Sequence, residues 1–179
     1  MARILFIRIL LFSILMLFDF AQVNSCSLYK ITVNGKTIVG TNFDEYYLNP
    51  AIWFENATKN KMYGAGFSGG RQDGINGIAP QSGMNSEGLS FSRLAAPTPE
   101  TVAVILKNKK QITNPTLYLK DILHNCKNVD EVKEFISQYD FSYFLQDVFI
   151  YIDKSGKYLV VEPYTMTISN DAKSLVLRL

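Results

Sequence analysis

The alternation of apolar and polar residues predicts a β-hairpin over residues 27–39. β-forming side chains lie on both sides of Asn34-Gly35. This dipeptide is the most favourable one for a two-residue hairpin turn, because both of its positions require positive φ. We therefore expect two antiparallel strands joined at this turn.

Shorter strands and loops are predicted in the middle of the chain. Residues 40–60 are mainly polar, with Trp53 and Phe54 as a short apolar patch. Residues 66–83 contain six glycines, a composition typical of a loop at the rim of a pocket. Strands are expected at 62–67 and 88–94.

Helical periodicity dominates after Asn114-Pro115. Apolar positions within 117–123 and 130–139 follow helical spacing and predict two helices. Further strands are predicted at 144–152, 158–161 and 174–179. The order of strands, two helices and strands predicts an α+β fold of packed layers.

The first 25 residues have the pattern of a signal peptide. Arg3 and Arg8 precede an uninterrupted apolar run over residues 9–18, and Val23 and Ser25 stand three and one residues before the expected cut. The run is about half of the ~20 residues that span a bilayer, which makes an uncleaved anchor the weaker alternative. Cleavage after residue 25 leaves Cys26 as the first residue of an exported chain, secreted or periplasmic.

Composition fits one globular domain and argues against polyanion partners. Of 179 residues, 47% are hydrophobic and the formal net charge is +2. Removing the signal peptide leaves 16 basic and 15 acidic residues, and no basic stripe marks a nucleic-acid surface. No metal or nucleotide motif is present, so no cofactor is expected.

An N-terminal cysteine can combine nucleophile and base in one residue. A thiol with a pKa near 8.5 must lose its proton to attack a carbonyl, and an α-amine with a pKa near 8 can accept it directly or through one water. The chain's single histidine, His124, lies in a predicted helix, where we expect a surface or helix-packing role. Asp44 is the natural carboxylate to hold the amine, because the hairpin folds it back toward Cys26; the alternative is an ordinary loop carboxylate.

Several motifs together resemble one hydrolase family. They are Cys26-Ser27, V-G-T-N-F-D at 39–44, G-M-N-S-E-G-L at 83–89, N-C-K-N-V-D-E-V at 125–132 and V-V-E at 160–162. In order and spacing they resemble the choloylglycine hydrolase and penicillin V acylase group of N-terminal-nucleophile hydrolases, which cleave linear amide C–N bonds.

The resemblance implies an αββα sandwich with a cysteine nucleophile. Cys26 would form a thioester with the substrate's acyl group, with Asp44 orienting its amine and Asn42 fixing the loop. Phe43 would line the substrate pocket. The substrate would be a small-molecule amide such as a bile salt conjugate, penicillin V, an acyl-homoserine lactone or another acylated amine.

Two positions depart from the family pattern. Thr41 stands where many members have an arginine near the thiol, and its loss should raise the thiol pKa. Ala95 stands where bile salt hydrolases have an asparagine. Its backbone N–H would serve the oxyanion, so alanine is compatible with the role.

The chain is also about half the usual family length, so the sandwich is expected to be incomplete. It ends just before the expected oxyanion asparagine, which makes it a fragment or a chain with a companion C-terminal segment; a homo-oligomer is the other partner considered. Half a sandwich would leave apolar faces uncovered, and we expect it to be inactive alone.

Two alternatives concern the cysteines. If Cys26 were lipidated, as in a lipoprotein, both its amine and its thiol would be blocked. Cys26 and Cys126 are the only cysteines and an exported pair can bridge. A buried, free Cys126 is the interpretation we favour.

Overall fold

The computed structural model describes residues 26–44, 49–96, 109–163, 165–169 and 174–178. The predicted signal peptide, residues 1–25, lies outside the described residues. Within the described part of the chain, no helix is long and apolar enough to cross a membrane.

The predicted hairpin is confirmed and belongs to a three-stranded antiparallel sheet. Its two turn residues, Asn34 and Gly35, have φ of 51° and 72°, as a primed hairpin turn requires. The sheet has the order β12-β1-β2, with strands β1 (Ser27–Val33), β2 (Lys36–Asn42) and β12 (Ser174–Arg178).

A seven-stranded antiparallel sheet forms the centre of the molecule. Its order is β11-β10-β9-β6-β5-β4-β3. The strands are β3 (Ala51–Glu55), β4 (Ala65–Gly69), β5 (Ser82–Asn85), β6 (Ser90–Ala95), β9 (Asp147–Ile152), β10 (Tyr158–Val161) and β11 (Met166–Ser169). A short parallel pair, β7 (Lys110–Gln111) and β8 (Tyr139–Asp140), lies apart from it.

Both predicted helices are present, and each begins at an asparagine cap. Helix α1 (Pro115–Asn125) starts after Asn114, whose side chain accepts a hydrogen bond from Leu117 N. Helix α2 (Val129–Ser137) starts after Asn128 in the same way. The caps satisfy backbone donors that the first helical turn leaves free.

Strand β9 separates two hydrophobic cores. Phe149 and Tyr151 face the helices, whereas Val148, Ile150 and Ile152 face the three-stranded sheet. Side chains of successive strand residues point to opposite faces, so one strand serves both layers. The described residues thus stack as helices, large sheet and small sheet, and the predicted α+β layered fold is confirmed.

Some predicted boundaries were wrong. The apolar patch at Trp53 is strand β3 rather than part of a loose segment, and the glycine-rich stretch 66–83 contains most of β4 and the start of β5. Gly83 fits tight packing, since a Cβ there would lie 2.8 Å from the Phe67 ring. The predicted strand at 144–152 begins only at residue 147, because a 3₁₀ turn, Phe141–Phe144, precedes it.

Candidate active site

Cys26 lies at the entrance of the inter-sheet core. It directly precedes β1 and is 5% exposed. Since Ser27 pairs with Asn42, the antiparallel register sets Cys26 opposite Phe43. Both belong to the core between the two sheets, which also contains Leu94.

The remaining residues of the 39–44 motif divide between two faces of the hairpin. Thr41 pairs with the buried Leu28 and therefore shares its inward face. Asn42 is exposed, and its side-chain amide donates to Asp44 Oδ1 at 3.3 Å. The hairpin thus brings Cys26 and Asp44 to one end of the small sheet, where Asp44 is exposed and bound to Asn42. The role of Asp44 toward the amine of Cys26 stays a prediction.

The backbone N–H of Ala95 points away from the hydrogen-bond ladder between β6 and β9. Ala96 N donates to Gln146 O on the β9 side, and Arg93 N donates to Gln81 O on the β5 side. N–H directions alternate along a strand, so Ala95 N–H points to the β5 side. Strand β5 begins only after Gln81, so no residue of β5 pairs with Ala95, and Ala95 borders a space at the end of that strand.

That space is a cavity of about 280 Å³, next to the end of the sandwich that holds Cys26. A bidentate ion pair forms one wall, with Arg93 Nε 2.6 Å from Asp147 Oδ1 and the second guanidinium nitrogen 2.9 Å from Oδ2. The lining residues are Arg71, Gln81, Arg93, Ala95, Ala96, Gln146 and Asp147. Leu94 and Ala96, which flank Ala95, pack in the same core as Cys26.

His124 is fully buried in a helix-packing role, one of the two that we expected. Its Nδ1 lies 2.7 Å from Tyr63 O and its Nε2 lies 3.1 Å from Glu55 Oε2. Lys61 and Lys120 also contact the Glu55 carboxylate. Burial alone would raise the pKa of Glu55, but side-chain hydrogen bonds from Lys61, Lys120 and His124 outweigh it and lower the pKa to about 2. The histidine thus belongs to a structural network between α1 and β3.

The two cysteines lie in different cores. Cys26 belongs to the inter-sheet core and Cys126 to the core between the helices and the large sheet. Both thiols are free. Burial raises the pKa of the Cys126 thiol to about 12, which leaves it inert at neutral pH.

Sequence reasoning used Asn85 only as a motif position and missed its role. Its side-chain amide donates to Leu123 O at 2.8 Å and to Cys126 O at 2.7 Å. Its Oδ1 accepts from the backbone N–H groups of Glu87 and Leu89. Asn85 therefore joins the turn after β5 to the end of α1. The sequence around Asn85 does not predict this buried position between the turn after β5 and the end of α1.

A metal ion would need several ligating side chains close together in the described part of the chain. No group of three or more histidine, cysteine, aspartate or glutamate side chains there is arranged to hold a metal ion.

No protein-family model matches the chain, and no curated protein matches it. Several solved structures, in contrast, are similar to this chain. Two variants of conjugated bile acid hydrolase from Clostridium perfringens superpose with a TM-score of 0.62, at 23% and 22% identity, over 85% and 84% of this chain. Penicillin V acylase from Agrobacterium tumefaciens superposes with a TM-score of 0.55 at 15% identity over 86% of this chain.

These similarities establish the fold. The chain shares the fold of conjugated bile acid hydrolase and penicillin V acylase, and the fold that the resemblance implied is confirmed. It spans about half the length of the solved structures it matches: 52% of each bile acid hydrolase chain and 49% of the acylase chain. This share agrees with an N-terminal half of the sandwich.

Proposed function

We propose that this chain is the nucleophile-bearing half of an exported hydrolase that cleaves linear amide C–N bonds. The observation that carries the proposal is the position of Cys26 at the start of β1, in a fold shared with a conjugated bile acid hydrolase and a penicillin V acylase. A first residue at this place has its thiol in the inter-sheet core and its α-amine at the end of the sheet.

In the proposed reaction, the α-amine of Cys26 takes the thiol proton and the thiolate attacks the amide carbonyl. Ala95 N–H donates to the oxyanion that develops there. The proton then passes to the leaving amine as the C–N bond breaks, and water hydrolyses the thioester. Asp44 orients the α-amine, Asn42 holds Asp44, and Phe43 contacts the acyl group. Thr41 cannot supply the positive charge that an arginine would bring to this position.

The substrate is a small-molecule amide. Bile salt conjugates, penicillin V, acyl-homoserine lactones and other N-acyl amines are the classes we propose, following the fold and the motifs of 39–44 and 83–89.

Export is part of the proposal, because the α-amine exists only once residues 1–25 are removed. Signal peptidase cleavage would release the chain to the periplasm or the medium. Lipidation of Cys26 is the competing outcome, since it would consume both functional groups of this residue.

Exposed apolar side chains support a companion C-terminal segment. Tyr29, Ile31 and Val33 are exposed on the outer face of the small sheet. Ile52 and Phe54 are exposed on the face of the large sheet opposite the helices, where Phe54 is 82% exposed. Soluble monomers rarely expose such faces. A companion segment would cover them and contribute the rest of the site; a second copy of this chain is the alternative occupant.

Two measurements test the proposal. Intact mass of the exported product should correspond to an unmodified chain beginning at Cys26; a lipidated or uncleaved N-terminus would refute the mechanism. The chain produced with the polypeptide encoded downstream should hydrolyse N-acyl amines.

A matched pair of cysteine variants separates chemistry from folding. Cys26→Ser should keep the urea midpoint of the parent and lose nearly all turnover, whereas Cys126→Ala should keep turnover wherever it stays folded. Equal turnover in Cys26→Ser and the parent would exclude the thioester.

A further inference from the structure

The ring of His124 lies between two oxygen atoms that can only accept hydrogen bonds. Its Nδ1 is 2.7 Å from the backbone oxygen of Tyr63, and its Nε2 is 3.1 Å from Oε2 of Glu55. A peptide carbonyl has no proton to donate. The Glu55 carboxyl has none either, because its pKa is lowered to about 2 and it is ionised at neutral pH.

A neutral imidazole fits this arrangement in neither tautomer. It carries one N–H, so its other ring nitrogen is an acceptor. With the proton on Nε2, the bare Nδ1 would face Tyr63 O, and with the proton on Nδ1, the bare Nε2 would face the Glu55 carboxylate. Both cases place two acceptors against each other in the fully buried surroundings of His124, where an unmatched polar atom is costly.

The charged groups around the ring favour a positive charge on it. Glu55, at the end of β3, faces Nε2 directly. Lys61, between β3 and β4, and Lys120, on α1, contact the Glu55 carboxylate. The carboxylate therefore lies between His124 and the two ammonium groups, which separates the cations from one another.

The other neighbours of the ring add a second carboxyl group. Asp121, also on α1, interacts with His124 in the direction that lowers the pKa of this carboxyl, although burial raises that pKa overall. From β4, the uncharged ring of Phe67 meets His124 edge-on at 5.8 Å between centroids. Tyr63, a titratable residue of the connection between β3 and β4, is hydrogen-bonded to the histidine through its backbone.

We infer that His124 is an imidazolium whose two N–H groups clamp the connection between β3 and β4 to α1, and that base opens this clamp. The clamp consists of His124, Glu55 and Tyr63. It closes the base of the connection, because Glu55 ends β3 and Tyr63 stands two residues before β4 begins. Loss of either ring proton turns one of the two hydrogen bonds into a contact between acceptors. This device belongs to the scaffold and does not depend on amide hydrolysis.

Opening the clamp would loosen one edge of the large sheet. Strand β3 is the last strand in the order of that sheet, and its Glu55 is held to α1 through His124 and Lys120. Since the folded chain binds the second ring proton more tightly than the unfolded chain, stability must fall as the pH rises through the release of that proton.

NMR of the ring nitrogens tests the charge directly. His124 is the single histidine of the chain, so ¹⁵N-histidine labelling of the untagged chain gives one set of ring signals, even when an unlabelled companion segment is added. We expect two ring N–H groups at pH 7.5 in the folded chain. In urea the same ring should have lost about nine tenths of its second proton at this pH, as a free histidine with a pKa near 6.5 does. A folded wild type with one ring N–H at pH 7.5 would overturn the inference.

Two variants locate the cause of the charge. Glu55→Gln offers an NH₂ group that can donate to a bare Nε2, so its histidine should carry one N–H, on Nδ1, at pH 7.5. Glu87→Gln removes an equal charge from an exposed pair with Lys154 and should keep both ring protons. Two ring N–H groups in Glu55→Gln, or the loss of one in Glu87→Gln, would contradict the clamp.

Urea unfolding tests whether base opens the clamp. The wild-type midpoint should fall over the pH range in which NMR shows the second ring proton leaving. Glu55→Gln keeps every lysine, tyrosine and cysteine, so it controls for their titration and should show no such fall. A wild-type midpoint that stays level across this range, or falls equally in both proteins, would refute the device. If Glu55→Gln does not fold, the wild-type spectra and midpoints still decide.

Discussion

Glu55→Gln is the substitution whose effect on stability the structure predicts most directly. The Glu55 carboxylate accepts hydrogen bonds or ion pairs from Lys61, Lys120 and His124. Glutamine keeps the shape and removes the negative charge. Lys61, between β3 and β4, and Lys120 and His124, on α1, would then surround a neutral amide.

The magnitude follows from the pKa of Glu55, lowered from 4.5 to about 2. One pKa unit corresponds to about 1.4 kcal/mol, so the ionised carboxylate contributes about 3 kcal/mol; its side chain is 20% exposed, which limits solvent screening. Because the folded-state pKa is lowered, this stability is fully present above pH 4.5 and is lost as the pH falls toward 2.

Urea unfolding followed by circular dichroism, between pH 7 and pH 2, measures this effect. The wild type should exceed Glu55→Gln by about 3 kcal/mol at pH 7, and the two should converge near pH 2. Glu87→Gln is the matched control, because Glu87 is 4.0 Å from Lys154 in an exposed pair and should cost less than about 1 kcal/mol. A constant difference between wild type and Glu55→Gln across the whole pH range would refute the reasoning.

Three further predictions address packing and the thiols. Asn85→Asp replaces a donor to two carbonyl oxygens at the end of α1 by an acceptor, and should cost about 2–6 kcal/mol in urea unfolding; wild-type stability would contradict the role of the amide. Gly83→Ala puts a Cβ within 2.9 Å of three heavy atoms and should lower the free energy of unfolding by about 1–3 kcal/mol. Gly35→Ala, with φ of +72° and no atom within 4 Å, should lower it by only about 1 kcal/mol. A larger loss in Gly35→Ala than in Gly83→Ala would be incompatible with this packing. Ellman's reagent should find two free thiols in the unfolded, unreduced chain and no fast reaction of Cys126 before unfolding; fewer than two would mean a bridge.

Local signals explain what the sequence predicted well. The Asn34-Gly35 turn and the Asn114-Pro115 helix start each depend on a few neighbouring residues, and both stand where expected. Strand β3 was missed because it has apolar side chains on both faces, with Trp53 inward and Phe54 exposed, so it lacks a clean alternation.

Long-range pairing accounts for what the sequence could not show. Arg93 and Asp147 are 54 positions apart, and no local pattern joins them. Lys30 is fully buried and donates to Gly156 O at 2.8 Å, although a lysine in a hairpin strand is normally expected at the surface. The end of the hairpin that holds Cys26 and Asp44 could be predicted, because a turn fixes which residues of its two strands face each other.

The alternating faces of β9 have a consequence for cooperativity. Its odd- and even-numbered side chains pack in different cores, so displacement of this strand disrupts both cores at once. Melting of the helical layer and detachment of the small sheet should therefore occur in a single transition. Amide protons of the central strand should exchange only through that global event, at a rate set by the stability of the whole assembly.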